Sequence, residues 1–204
     1  MMVYVNWRDY GPSPLPRILQ TALEAFVEHG YEGTSVRDLA GRAGLSVPGL
    51  YHHFRSKQDI LMGLLEAVMN DLLARSRSAL STSPPNPEGQ LDALVECMLR
   101  FHLFRRNEAF VASTELRSLE PANRGRYVRM RDEQQRMLAD VIRAGSKAGV
   151  FTTPYPDDAA RALATLCVGV ATWYRDDGPL APDEVVRRYL DMVHGLVGVA
   201  RMGS

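Results

Sequence analysis

Two helix-start signals lie eleven residues apart, at Ser35 and Ser46, and they constrain this chain more tightly than any other feature of its 204 residues. In Ser35-Val-Arg-Asp38 a hydroxyl is followed three residues later by a carboxylate, the pairing that caps a helix start. Gly44 can take the left-handed backbone that turns the chain out of that helix. Ser46 then caps a second helix. The segment is expected to fold as two short helices joined by Ala43-Gly44-Leu45-Ser46, a helix-turn-helix. Leu39, Ala43, Leu45 and Leu50 are spaced to pack the pair together and onto a preceding helix, and Ala40 is small enough for a close crossing.

Helical periodicity continues on both sides. Arg17 to about His29 carries Leu19, Leu23 and Phe26 on one stripe, widened by Ile18, Ala22 and Ala25, with Gly30 as a stop. The second helix runs from Ser35 to Ala43-Gly44, the third from Ser46 to about Phe54, the fourth from near Ser56 to about Leu80. Ser81-Thr82-Ser83-Pro84-Pro85-Asn86-Pro87 excludes a continuing helix. Longer amphipathic helices follow at roughly 88–105, 107–119, 122–148, 156–175 and 182–201, punctuated by Gly149, Pro154 and Gly178-Pro179. No stretch alternates apolar and polar residues, which predicts an all-α chain. The expected division is an N-terminal arm at 1–16, a three-helix head at 17–57 and a helical body at 58–204, with helix 4 as the connection.

Composition permits a sizeable core, 46% of residues being hydrophobic. Charge is balanced, 24 basic against 24 acidic side chains, so any affinity for nucleic acid must come from placement. Residues 1–57 are no different, with Arg8, Arg17, Arg37, Arg42, Arg55 and Lys57 set against Asp9, Glu24, Glu28, Glu32 and Asp38. Cys97 and Cys167 stand apart in apolar surroundings and read as reduced core thiols. The N-terminus lacks the build of a signal peptide. The longest apolar run, Ala162 to Tyr174, falls short of the roughly 20 residues of a membrane span. A soluble, cytoplasmic protein is expected.

No HExxH, nucleophile elbow or Gly-rich phosphate loop is present. His52 and His53 are helix neighbours about 100° apart, which suits no shared metal. A thiol pair of Cys97 or Cys167 with His102 or His194 is the remaining enzymatic alternative. Neither a metal, a cofactor nor catalysis is expected.

Residues 30–61, GYEGTSVRDLAGRAGLSVPGLYHHFRSKQDIL, resemble the tetracycline-repressor (TetR) family. The matching elements are Gly44-Leu45-Ser46, Leu50-Tyr51-His52-His53-Phe54 and Lys57. The resemblance implies a ligand-responsive homodimeric repressor that binds a palindromic double-stranded operator, the third helix entering the major groove. Such a helix offers its N-terminal residues to base edges. Here those are Val47, Pro48 and Gly49, which can touch a thymine methyl or allow close backbone approach but donate no side-chain hydrogen bond. Arg37 matches a position that reaches a base in the founding repressor, and His52 is a second candidate reader. Tyr51, His53 and Lys57 look like phosphate clamps. Ser35 and Ser46 either contact phosphate or only cap their helices. An activator, or an interaction protein of the same shape that has lost DNA binding, is the alternative.

The resemblance also implies a body that cages a small apolar effector and pairs with a second copy through its last two helices. Ala162, Ala164, Gly169 and Ala171 favour close helix contact. Val185, Val186, Tyr189, Leu190, Val193, Leu196 and Val197 make the last helix more apolar than a solvated end helix needs. Candidate effector contacts are Met98, Phe101, His102, Arg105, Phe110, Met130, Met137 and Trp173. His102 and Arg105 either orient a ligand's polar end or face solvent. Glu115-Leu-Arg, the run Arg124-Gly-Arg-Tyr-Val-Arg-Met-Arg-Asp and Trp173-Tyr174 are similar to regulators of fatty-acid and steroid catabolism, which respond to acyl-coenzyme A (acyl-CoA) thioesters. On that likeness Arg124, Arg126 and Arg129 would face coenzyme phosphates; a solvated charged face is the plain alternative.

Overall fold

The computed structural model describes residues 6–199. Helices follow in the order α1 (Arg17–Gly33), α2 (Val36–Ala43), α3 (Val47–His53), α4 (Lys57–Thr82), α5 (Pro87–Phe104), α6 (Arg106–Thr114), α7 (Pro121–Lys147), α8 (Pro156–Trp173) and α9 (Pro182–Val197), with a 3-10 turn at Glu115–Ser118. There is no strand among the described residues, as the lack of alternation predicts. The expected stretch at 107–119 is the one element that changes character: its last turn tightens to the 3-10 form. The end of the expected 182–201 helix lies partly outside the described residues.

Starts and stops form by the expected chemistry. Ser35 and Ser46 accept hydrogen bonds from the backbone N–H of Asp38 and Gly49, each at 3.1 Å. Ser56 does the same for Asp59 at 3.0 Å, opening α4. Gly44 closes α2 with φ +70°, and Gly30 breaks α1 with φ +69° before a last turn to Gly33.

By contacts the chain divides into two compact units. The first holds Tyr10–Asp71 and Arg105–Arg131, which includes α1, α2, α3, the start of α4, α6 and the 3-10 turn. Its core is Leu19, Leu23 and Phe26 of α1, Leu39 and Ala40 of α2, Leu50 of α3, and Ile60, Leu61, Leu64 and Leu65 of α4, all buried. Among the described residues, the second unit holds residues 6–9, Leu72–Phe104 and 132–199. There α5 packs on α8 and α9. Leu94, Leu99, Leu163, Cys167, Val170, Val185 and Val193 are buried in it.

The described part of the expected N-terminal arm is no free arm. In the second unit Trp7 is buried with Ala79, Ala93 and Cys97, and its indole N–H donates to Thr82 at 3.1 Å. Arg8 lies 3.8 Å over that ring and forks onto Glu96. In the first unit Arg105 donates to the carbonyls of Gly11 and Pro12, and Ser13 donates to Glu108 at 3.0 Å. Aromatic burial and charge-assisted hydrogen bonds offset the entropy of ordering this proline-rich segment.

Candidate DNA-reading face and effector cavity

α3 is anchored by very little of itself. Leu50 is fully buried, and Phe54 follows as a half-buried plug whose ring would lie 3.1 Å from a Cβ placed on Gly63 of α4. That glycine lets α4 come close enough to hold the end of α3. The rest of the helix faces outward: Pro48, Tyr51, His52 and His53 are exposed, with Val47 and Gly49 half-buried. Leu50 and Phe54 thus fix the helix in place, and one continuous face stays available.

Each side chain expected on this face has a definite circumstance. Arg37 is exposed at the start of α2, and neither it nor Tyr51, His52 and His53 has a hydrogen bond or ion pair among the described residues. Ser35 and Ser46 act as caps, and each hydroxyl proton stays free to donate. Lys57, expected as a phosphate clamp, is largely engaged elsewhere. Its ammonium donates to the carbonyls of Tyr31 at 2.9 Å and Thr34 at 3.0 Å and lies 4.1 Å over the Tyr31 ring. The position beside the helix start is as expected, but two of three donors are spent on the head's own backbone.

Two cations escaped the sequence reading. Arg17 opens α1, its guanidinium 3.7 Å from where a Gly44 Cβ would stand, and Arg55 lies two residues past the end of α3. Both are exposed and have no acidic partner among the described residues. Arg42, by contrast, is neutralised by Glu28 at 2.7 Å and Asp38 at 3.3 Å. Its guanidinium holds the Glu28 carboxyl below the usual carboxylate range. The head's charge count hid this sorting: acidic residues cancel the cation that ties α1 to α2 and leave Arg17, Arg37 and Arg55 unpaired.

The expected effector contacts are less coherent. Met98, Phe101, His102, Met137 and Trp173 belong to one unit, and Arg105, Phe110, Arg126 and Met130 to the other. Met98 and Phe101 are buried, and Met130 and Met137 are half-buried. Phe110 and Trp173 are 46% and 45% exposed, so neither is enclosed by its own chain. His102 does not face solvent. It is buried edge-on to Phe101, its Nδ1–H donating to the Met98 carbonyl at 2.7 Å, and burial pushes its pKa down to about 4. Arg105 does not face solvent either, being spent on Gly11 and Pro12 beside Glu108. Arg126 pairs with Glu66. A cavity of about 390 Å³ does exist in the first unit, lined by Ser113, Thr114, Leu116, Arg117 and Arg124. Of these, Arg124 was named by sequence as a coenzyme contact, and Leu116 and Arg117 lie in the Glu115-Leu-Arg segment noted there.

The thiol alternative has no geometry behind it. Burial pushes Cys167 up to about 12, which leaves almost no thiolate at neutral pH. His194 is hydrogen-bonded to Asp92 at 2.6 Å and His102 to a carbonyl, neither to sulfur. No group of three metal-ligating side chains occurs among the described residues, and no helix there is long and apolar enough to cross a membrane.

Comparison with known proteins agrees with this geometry. Residues 18–64 match the family described as bacterial regulatory proteins, tetR family, and residues 84–197 match the tetracyclin repressor-like C-terminal domain. The chain is 33% identical over 190 residues to the HTH-type transcriptional repressor KstR2 of Mycobacterium tuberculosis (strain ATCC 25618 / H37Rv), covering 91% of this chain and 92% of that one. Among solved structures it is similar to the TetR family regulator PfmR from Thermus thermophilus, with 34% identity, TM-score 0.81, and 91% and 100% of the two chains covered. It is also similar to the ketosteroid transcriptional regulator KstR2 of Mycobacterium tuberculosis, with 28% identity, TM-score 0.79, and 94% and 98% covered. These relatives are DNA-binding regulators and not enzymes, and the chain belongs with them to the TetR family of transcriptional regulators.

Proposed function

We propose that two copies of this chain grip a palindromic operator in the cytoplasm and let go when a small apolar effector carried on coenzyme A binds. The observation that carries the reading is the α3 face, with Leu50 and Phe54 turned inward and Val47, Pro48, Gly49, Tyr51 and His52 turned out. Arg37 and His52 read bases. Tyr51, His53, Arg17 and Arg55 contact phosphates, joined by the hydroxyls of Ser35 and Ser46 and the third ammonium proton of Lys57. So few cations per chain make a second half-site necessary for useful affinity.

Pairing through α8 and α9 is supported by their outward apolar residues. Leu166 and Trp173 share a stripe on α8 with the open Gly169, and Met192 and Leu196 share one on α9. Trp173 stacks on Tyr189 across the two helices at 6.3 Å. A contiguous apolar patch of this kind calls for a cover.

For the effector, Arg117 and Arg124 at the cavity suit the phosphates of a coenzyme. The relative named as a ketosteroid regulator supports an apolar, ring-bearing acyl group. Selection from random-sequence duplexes by the purified protein tests the first half: an enriched inverted repeat is expected. Titrating acyl-CoA thioesters of increasing chain length and ring content into that complex tests the second. Release by a thioester but not by its free acid is expected, and no release by any thioester rejects the effector reading while leaving DNA binding intact.

A further inference from the structure

Tyr31 is held at every polar atom it has. Its N–H donates to Glu115 Oε1 at 3.3 Å, and its carbonyl accepts from Lys57 at 2.9 Å and from the Thr34 N–H at 3.2 Å. Its hydroxyl accepts from Gln58 at 3.0 Å, and its ring packs on Phe26 and under the Lys57 ammonium. Tyr31 and Thr34 deliver the chain to α2, while Lys57 and Gln58 are the first residues of α4, just past α3. The entry and exit of the helix-turn-helix are therefore tied at one point.

The same point is tied to the 3-10 turn. Glu115 is a buried carboxylate whose second oxygen accepts from Ser118 Oγ at 2.7 Å. Gln58 also donates to the Ser118 carbonyl at 2.6 Å and accepts from the Glu120 N–H at 3.2 Å. The turn has two faces. Leu116 and Arg117 line the cavity, whereas Glu115 and Ser118 hold Tyr31 and Gln58. Of the residues proposed to contact DNA, Lys57 is joined to this cluster through Tyr31, while Glu115 and Gln58 stand behind it.

We propose that Glu115 and Gln58 are positioning residues for DNA binding: they fix the helix-turn-helix to the turn that borders the cavity, so the state of that turn sets the pose of α3. This rests on the DNA-binding reading above. A buried carboxylate with one backbone N–H and one hydroxyl as partners holds a single geometry, and loss of either partner frees the other.

The test uses the full chain and the duplex selected by the parental protein, with Glu115→Ala, Glu115→Gln, Gln58→Ala and the double variant Glu115→Ala/Gln58→Ala. Operator affinity is read by anisotropy, and amide exchange at residues 47–54 is read without DNA. Glu115→Ala and Gln58→Ala are each expected to weaken binding about tenfold. The double variant should fall well short of the product of the two losses, as for residues in one network. Glu115→Gln keeps an acceptor and should stay within about threefold of parental. Exchange at 47–54 should rise in Gln58→Ala. If Glu115→Ala does not fold, Gln58→Ala and Glu115→Gln decide the matter. Losses that multiply, or Gln58→Ala within about twofold of parental, overturn the proposal. If the parental protein selects no duplex, the functional reading fails, and the exchange result alone decides on the cluster: unchanged protection at 47–54 in Gln58→Ala overturns it.

Discussion

His102 shows how far a residue's circumstances can depart from its type. Its imidazole is buried on α5 with one N–H on the Met98 carbonyl, and its pKa is depressed to about 4. The unfolded chain takes up the proton near 6.5, while the folded one resists until about 4. Stability is therefore fully present above pH 6.5 and lost as pH falls toward 4, by up to about 3 kcal/mol. Melting temperature measured from pH 7 to pH 4 should show this decline. In His102→Gln the part of the slope between 6.5 and 4 should flatten, whatever the variant's absolute stability. Arg37 makes the opposite kind of residue prediction. If it reads a base, Arg37→Ala costs about 1–3 kcal/mol and relaxes preference at one base pair per half-site, measured by binding to single-substitution operators. A uniform loss across all substitutions makes it a phosphate contact. Burial of His102 and Arg105 was not legible in the sequence, because a polar residue on an apolar helix is equally compatible with a buried hydrogen bond and with solvent. The backbone hydrogen bonds of Lys57 were not legible for a related reason: the carbonyls it donates to belong to Tyr31 and Thr34, more than twenty positions away.

At the scale of elements, the caps and glycine stops carried most of the legibility. Ser35, Ser46, Gly30 and Gly44 act locally, within four residues of the bonds they make, and local chemistry survives in a single sequence. Gly44→Ala places a side chain at φ +70°, a conformation that costs an L-residue roughly 1–2 kcal/mol. Thermal or urea denaturation should show that loss, with the variant still all-helical by circular dichroism. Alanine at Gly49 meets a different limit. Its Cβ would sit 3.2 Å from Ser46 Oγ, displacing a cap and standing on the face offered to DNA. Operator affinity should fall more than stability does. The 3-10 turn at Glu115–Ser118 was not legible, since two of the residues that hold it, Tyr31 and Gln58, lie far away in the chain and join the turn's own Ser118–Glu115 hydrogen bond.

On the scale of the whole molecule, pattern gave the helix count and order, but of the apolar residues it picked out on α9, Val185, Val186, Val193 and Val197 are buried within this chain and only Leu196 is exposed. It did not give the allocation of helices to units. The stretch 105–131 belongs with the head residues by contact, although it follows the proline break and reads as body. Long-range packing of α1 on α6 decides this, and no local signal encodes it. The same gap scattered the expected effector contacts over two units. The exposed stripes lead to a prediction at this scale. Leu166→Glu or Met192→Glu places a charge in a desolvated interface if α8 and α9 pair between copies. Sedimentation should then show a shift from two copies to one, with secondary structure retained, and operator binding should drop to half-site strength. An unchanged oligomer places the dimer contact elsewhere.

The most direct test of the central claim is an anisotropy titration at about 150 mM salt. The parental protein and the double variant Tyr51→Ala/His52→Ala are each titrated against the selected duplex and its scrambled counterpart. The parental protein should prefer the selected duplex by at least about 10³-fold and bind it as two chains per site. The variant, with two of the three outward polar side chains of α3 removed, should fold normally and fall toward the scrambled level. Equal parental affinity for the two duplexes, or a variant that keeps the full preference, would contradict the claim that α3 reads DNA.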